Sequence, residues 1–298
     1  MNHGRHLPLS SPHGVLNHGS ALLQVIAQLA GDGPTDRPSR GSPVLWQWMI
    51  AWGDALPDDA RQQLRRYVWP LSNSVADIAT ECERQWDVID WAVRTLAPTW
   101  LRAAGLRFEA DRIADLPTVT NAHSLTIVEP PADLAVRTTG DVLRHLWAAL
   151  HARAPGHPSG LGAPAADPMR GAATESRVDH PTMFALVEAT TAALGAGRTL
   201  TNVADRASGY SGPAEPPAAW RKVLAATNLA AEIVGWRAVL EMTRPAEWSW
   251  RTAPPPTRQM AHSVVSASLR TIEQAVNESA HQLVERMLQR GARIAPTG

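Results

Sequence analysis

The chain has 298 residues, 44% of them hydrophobic, and a formal net charge of zero. That hydrophobic share excludes wholesale disorder, and the balanced charge excludes the strongly basic field of a typical nucleic-acid binder. The single cysteine, Cys82, excludes an intrachain disulfide and is typical of a reducing cytoplasm. The length predicts one large domain or two ordinary ones.

The aromatic composition is strongly biased toward tryptophan, with 12 Trp against 2 Phe and 2 Tyr. Large aromatic side chains supply much of a core, although each indole N–H needs a partner once it is buried. Much of the set falls in one helix-forming stretch: Trp46, Trp48, Trp52, Trp69, Trp86, Trp91 and Trp100. We therefore expect a Trp-rich helical core, or a stacking surface if some of the rings are exposed.

The N-terminal region predicts a disordered tail over residues 1–17, followed by a helix from Ser20 to Ala30. The apolar run in that helix is interrupted by Gln24 and Gln28 and is shorter than the roughly 20 residues that cross a bilayer. The tail also lacks the basic-then-apolar layout of a secretory signal. These features predict a soluble, cytoplasmic protein with no membrane segment.

Two helix starts follow. Ser42 and Pro43 supply a side-chain acceptor at the N-cap and a proline at the first helical position. The apolar residues of this helix recur at i, i+3, i+4 and i+7: Leu45, Trp48, Met49 and Trp52. Pro57 opens the next helix, and the acids Asp58 and Asp59 complement the macrodipole in its first turn.

Residues 74–102 carry the longest helical pattern of this region. Its predicted inner face is a stripe with spacings of four, four, three and four: Ile78, Cys82, Trp86, Ile89 and Val93. Cys82 is predicted to fill the core, because free cysteine behaves as a small buried hydrophobe. Pro98 predicts a kink or break near Leu96, and Gly105 predicts the end of the helix.

Further helices are predicted over 107–115, 118–126, 139–153, 180–194, 217–243 and 257–291. Alternating strand patterns are nearly absent, so the predicted fold class is all-α, an irregular multi-helix bundle with a Trp-rich core. Residues 154–178 are rich in Pro and Gly and predict a linker or long loop. The bundle is thereby divided into a Trp-rich helical domain over 18–153 and a C-terminal helical domain over 179–298, as two possible subdomains.

One part of the chain resembles a known group of proteins. The most specific stretch runs from Asp90 to Leu106, DWAVRTLAPTWLRAAGL, and shorter matches are AQLAG from Ala27 and ALPDDARQ from Ala55. Over about residues 23–125 the chain resembles a group of uncharacterised helical proteins from actinobacteria. The resemblance implies a helical module around the tryptophans, and it implies no activity.

One candidate metal or acid–base site lies in the last helix, where Glu278 and His281 form an ExxH pair. Helical di-iron sites place such a pair on one helix face, but they need a second pair and two further glutamates. No second ExxH is present, so a solvated helix face is the preferred interpretation. No metal or other cofactor is predicted, and whether the protein is an enzyme stays open.

A second candidate is a degenerate helix-turn-helix over residues 199–224. A DNA-binding interpretation requires Arg206, Arg221 and Lys222 on one exposed face. Pro213 and Pro216 stand where a recognition helix would lie, and proline breaks helices. Nucleic acid is therefore an unfavoured partner, and no pattern points to a particular small molecule.

The last helix also carries a possible protein-interaction seam with a three-and-four spacing: Leu269, Ile272, Val276, Leu283 and Met287. Trp236, Trp248 and Trp250 add apolar surface near it. An amphipathic helix docked on its own domain explains the seam equally well. The leading hypothesis is a non-enzymatic helical protein that acts through a protein partner or self-association. A helical-bundle enzyme with a pocket between helices, with or without a metal at Glu278 and His281, is the alternative.

Overall fold

The computed structural model describes residues 41–56, 58–153, 217–242 and 258–292. Every regular element in these ranges is helical, which confirms the all-α fold class. The α-helices in chain order are α1 Pro43–Ala55, α2 Asp58–Gln62, α3 Val68–Ser72, α4 Ile78–Trp91, α5 Ala97–Ala103, α6 Arg107–Ala114, α7 Ala122–Thr126, α8 Glu129–Arg153, α9 Ala218–Met242 and α10 Arg258–Ala292. A 3-10 turn, Gln63–Tyr67, precedes α3, and a π-helical turn, Ala92–Leu96, joins α4 to α5.

Local sequence signals determine several helix ends as predicted. The Ser42 side chain caps α1 by accepting a hydrogen bond from the backbone N–H of Leu45. Gly105 ends α5 with a φ of 76°, and its N–H donates to the Arg102 carbonyl while the Leu106 N–H donates to the Leu101 carbonyl. That pair of bonds is a Schellman motif, which favours glycine at the left-handed position.

The predicted irregularity near Pro98 is a π-helical turn. Residues Ala92–Leu96 adopt the wider turn immediately before α5, in which Pro98 is the second residue. Proline cannot donate the helical hydrogen bond, so the ladder has to change pitch ahead of it. The chain continues as a helix on both sides of this turn.

Three predicted helix starts are wrong. The helix predicted from residue 74 begins at Ile78, after the N-cap Asp77. α8 begins at Glu129, ten residues before the predicted start at 139, because Pro130 and Pro131 lie in the first turn, where their missing N–H groups need no partner. α7 covers only Ala122–Thr126, and its capping box between Asn121 and Ser124 marks the start.

The tryptophan cluster is buried in the core. The ring of Trp48 lies edge-on to that of Trp91, with centroids 5.1 Å apart, and 6.2 Å from that of Trp52. Trp52 and Trp91 donate their indole N–H groups to Asn277 and Ser279 of α10. The expectation that every buried indole finds a partner is wrong within the described residues, because the N–H groups of three rings meet no acceptor there: Trp46, Trp48 and Trp100.

The described helices share one hydrophobic core. α9 runs alongside α8 in the same direction, with Trp147 and Trp236 in ring contact at 4.5 Å and Lys222 paired with Glu129. The Arg237 guanidinium of α9 also donates to the Ala104 carbonyl at the end of α5. Within the described residues, helices from both the predicted 18–153 and 179–298 ranges contribute to this core.

The predicted inner face of α4 is wrong in its first half. Ile78 is 84% exposed and Cys82 is exposed, so Cys82 does not fill the core. Arg84 and Asp87 are buried instead, because they face α10, where the Arg84 side chain donates to the Met287 carbonyl and Arg290 pairs with Asp87. At the start of α4, therefore, the face that carries Ile78 and Cys82 points to solvent, and the face that carries Arg84 and Asp87 packs against α10.

Several predictions lie outside the described residues. They are the tail over 1–17, the helix Ser20–Ala30, the 154–178 linker, the helix over 180–194, and the side chains of Arg206, Trp248 and Trp250.

Candidate interaction surface

An exposed apolar corner forms where α3 turns into α4. Its exposed side chains are those of Trp69 on α3, Val75 in the connection, and Ile78 and Cys82 on α4, and we call these four residues the α3–α4 corner. Trp69 is 67% exposed and Val75 is 58% exposed. Among the described tryptophans, Trp69 alone is exposed, since the others are buried or half-buried.

Local hydrogen bonds shape this corner. The backbone N–H and hydroxyl of Ser74 both donate to the Leu71 carbonyl, which closes the turn after α3. The Asp77 carboxylate then caps α4 by accepting from the Thr80 N–H at 2.8 Å. With Thr80 turned into the protein, Ile78 and Val75 are left on the solvent side.

A buried polar network lies beneath the corner. Glu81 accepts from the Ser42 hydroxyl at 2.6 Å and from Arg84 at 2.5 Å. Arg84 is fully buried and also donates to the Ser74 carbonyl at 2.8 Å and to the Met287 carbonyl at 3.0 Å. The network joins the start of α1, the corner and α10, so it provides a rigid base for the exposed side chains.

The predicted seam on α10 faces the protein's own core. Leu269, Val276, Leu283 and Met287 are buried, and Ile272 is half-buried. Polar contacts that flank the seam hold α10 antiparallel to α4: Ser279 accepts from Trp91, and Arg290 pairs with Asp87 and Glu83. In this structure, therefore, the seam is not the exposed apolar strip that a partner-binding helix would present. Trp236 is buried as well.

The candidate pair Glu278 and His281 does not form a joint site. Glu278 is exposed and accepts a hydrogen bond from Gln274 at 3.0 Å, whereas His281 is turned toward the core. Within the described residues no group of three or more His, Cys, Asp or Glu side chains is placed to hold a metal ion. The ExxH spacing is therefore not used as a shared ligand set here.

His281 belongs instead to an aromatic and polar cluster. Its Nδ1 lies 2.9 Å from the Tyr67 hydroxyl, and its ring meets that of Trp52 edge-on at 4.7 Å. Desolvation, followed by the nearby charge of Arg66, lowers the pKa of His281. Burial also raises the pKa of Tyr67, although Arg66 donates to its hydroxyl at 2.7 Å. The cluster thus favours a neutral imidazole beside a protonated phenol.

Of the basic residues in the DNA-binding hypothesis, the structure describes Arg221 and Lys222. Lys222 pairs with Glu129 and Asp133 at 3.0 Å each, so acidic side chains already neutralise its charge. Arg221 is exposed, whereas the preceding residue, Trp220, is buried. The described part of the 199–224 segment is simply the first two turns of α9.

The sequence left exposure of some tryptophans open, Trp69 among them, but Ile78 and Cys82 were predicted to be buried and the α3–α4 corner was not predicted, although a signal was present. Asp77 is a residue type that prefers the N-cap, so it marks a helix start between Val75 and Ile78. The first backbone N–H groups of a helix are commonly solvated, and apolar residues beside them are therefore near solvent. The Tyr67–His281 contact could not be found in this way, since 214 residues separate its two members.

Comparison with known proteins finds no matching family model, no matching curated protein and no matching solved structure. Among the described helices, none is long and apolar enough to cross a membrane. Function is therefore inferred from the geometry of the described residues.

Proposed function

We propose that this protein acts by binding another polypeptide through the α3–α4 corner. The observation that carries the proposal is the exposure of Trp69 together with that of Ile78, nine residues further along the chain. Exposed tryptophan anchors are what protein interfaces commonly use, and burying one such side chain supplies a large share of the binding free energy.

The rigid base of the corner supports the same proposal. Arg84 and Glu81 hold the start of α4 against α10 and α1 through buried and part-buried hydrogen bonds, so the exposed side chains stand on a preorganised surface. A preorganised surface loses less conformational entropy when a partner binds. The actinobacterial resemblance over residues 23–125 covers this corner, and it remains a prediction.

The test is site-specific photo-crosslinking in the cells from which the gene comes. A photoreactive phenylalanine analogue replaces Ile78 in the full chain, and adducts are identified by mass. We expect one defined polypeptide adduct, whose yield falls at least about tenfold when Trp69→Ser is added, since removing an interface anchor costs about 2 kcal/mol or more.

A matched control places the same analogue at Gln289, an exposed position of α10 away from the corner. Equal adducts from positions 78 and 289, or a yield that is unaffected by Trp69→Ser, would refute the corner as the binding surface. An adduct with a second copy of this chain would identify the interaction as self-association.

One observation favours a second candidate, a helical enzyme. A neutral imidazole hydrogen-bonded to a phenol, as in His281 and Tyr67, is a pair capable of proton transfer. In this enzyme candidate the partner of His281 is Tyr67, not Glu278. It requires that Tyr67→Phe abolish turnover of a small-molecule substrate while the free energy of unfolding changes by only about 1 kcal/mol, the worth of one hydrogen bond.

A further inference from the structure

We propose that the hydrogen bond between Tyr67 and His281 is an acid-sensitive latch. It holds residues 63–72, which comprise the 3-10 turn and α3, against α10, and protonation of His281 releases them. Trp69 lies in this segment, so an open latch would also loosen one side of the α3–α4 corner. That consequence for partner binding rests on the proposed function, whereas the latch itself is a property of the free protein.

The direction of the hydrogen bonds defines the closed latch. The Arg66 guanidinium donates to the Tyr67 hydroxyl oxygen at 2.7 Å, and the same hydroxyl lies 2.9 Å from Nδ1 of His281. Because a guanidinium has no acceptor, the phenol oxygen accepts from Arg66, and its single hydrogen is left for His281. The His281 carbonyl, at 3.4 Å, is too distant for a strong O–H···O bond. Nδ1 therefore accepts in the closed latch, and the neutral imidazole carries its proton on Nε2.

Protonation of His281 removes that acceptor. An imidazolium donates from both ring nitrogens, so Nδ1 and Arg66 would both direct hydrogens at the one Tyr67 oxygen. The two cations would also repel each other across this oxygen. Burial raises the pKa of Tyr67, so the phenol does not ionise to accept both bonds. The closed arrangement therefore requires the neutral imidazole.

The charged groups around the latch do little to offset this repulsion. Glu285 faces it from α10, but its carboxylate lies 3.7 Å from Arg66 and both side chains are half-exposed, so solvent screens the pair. α1 contributes the uncharged ring of Trp52, whose centroid lies 4.7 Å from that of the imidazole. Desolvation, followed by the charge of Arg66, lowers the pKa of His281 against the smaller opposing effect of Glu285. The latch is thus closed above the ordinary histidine pKa of about 6.5 and opens as the pH falls through the lowered value.

The latch supplies the polar contacts between residues 63–72 and α10. Within the described residues, the hydrogen bonds from this segment to α10 are those of the Tyr67 hydroxyl, and Arg66 adds the half-exposed pair with Glu285. The first part of the segment is a 3-10 turn, whose hydrogen-bond geometry is poorer than that of an α-helix. Leu64 and Leu71 are buried, so we expect the released segment to loosen in place and not to unfold.

The test is hydrogen–deuterium exchange of the intact, partner-free protein, read by mass spectrometry at about pH 7.5 and about pH 5. Both values lie above the ordinary pKa of carboxyl groups, so the titrating group of the latch is His281. Rates are corrected for the intrinsic pH dependence of amide exchange. We expect the protection of residues 63–72 to fall at least about threefold at the lower pH, because each pH unit below the folded pKa changes the opening equilibrium about tenfold. The protection of α5 and α6 should change less.

Two variants isolate the contribution of the histidine. His281→Asn keeps an uncharged acceptor close to the position of Nδ1 but cannot be protonated, and we expect equal protection of residues 63–72 at the two pH values. Tyr67→Phe keeps the ring and removes the hydroxyl, and we expect low protection of the segment at both pH values.

Unchanged protection of residues 63–72 in the parent protein would overturn the inference, as would an acid response that is retained in His281→Asn. A loss of protection spread evenly over all the described helices would also overturn it, because that result is global unfolding. A failed crosslink at position 78 would refute the proposed function and leave this measurement untouched, so the two proposals fail separately.

Discussion

At the residue scale, Arg84 is a buried side chain that makes several of the contacts near the corner. Its guanidinium is fully buried and donates to Glu81 and to the backbone carbonyls of Ser74 and Met287. A buried charge is tolerated only where such partners replace water. One residue therefore connects α4, the α3–α4 connection and α10.

Replacing this side chain should be strongly destabilising. We expect Arg84→Ala to lower the free energy of unfolding by about 3–5 kcal/mol, because Glu81 is left as a part-buried charge without its partner. Urea denaturation measures the change. The matched control is Arg144→Ala, which removes an exposed pair with Asp141 and should change stability by less than about 1 kcal/mol. Similar losses in the two variants would contradict this account of Arg84.

Also at the residue scale, His281 should make stability depend on pH. Its pKa is lowered in the folded protein, chiefly by desolvation, so the native state favours the neutral imidazole. The corresponding stability is present above the ordinary pKa of about 6.5 and is lost as the pH falls through the lowered value. We expect the urea midpoint to fall between pH 7.5 and pH 5, with a smaller fall in His281→Gln. A fall in His281→Gln as large as that in the parent protein would argue against His281.

At the element scale, two glycines with opposite surroundings show what glycine does at the end of a helix and in its interior. Gly105 lies at positive φ in the Schellman motif after α5, and a Cβ there would stand 2.8 Å from the Arg237 guanidinium. Gly140 lies inside α8, and a Cβ added there meets nothing within 4 Å. The same substitution therefore has opposite consequences at these two positions.

We expect Gly105→Ala to destabilise the protein by about 1–2 kcal/mol, because alanine is strained in the left-handed region. We expect Gly140→Ala to stabilise it by about 0.5–1 kcal/mol, because alanine loses less backbone entropy within a helix. Thermal unfolding of both variants beside the parent protein provides the measurement. A shift of the same sign in the two variants would show that this description of the two glycine positions is wrong.

At the scale of the whole molecule, α10 is the element that closes the core. It contacts Trp52 and Trp91 through Asn277 and Ser279, and its apolar seam is buried against the other helices. The seam is therefore part of the folding core of one chain, and its loss should affect folding before it affects association.

Leu283→Ala tests this statement. We expect a loss of about 2–5 kcal/mol in the free energy of unfolding, the usual consequence of emptying a buried leucine site, with no change in oligomeric state by sedimentation. Gln282→Ala, at the adjacent exposed position, should change stability by less than about 0.5 kcal/mol. The opposite result, in which Leu283→Ala keeps the parental stability but dissociates an oligomer, would show that the seam is an intermolecular interface.

The sequence by itself determined the all-α class and several local features of the helices. These are the N-cap at Ser42, the irregular turn before Pro98 and the helix end at Gly105. These features depend on atoms within about four residues, so the printed sequence contains all the information they need. Only the tertiary structure decided which face of α4 is inside, because the contact between Arg84 and Met287 spans 203 residues. The same holds for the α3–α4 corner and the seam, since exposure depends on which distant helix covers a side chain.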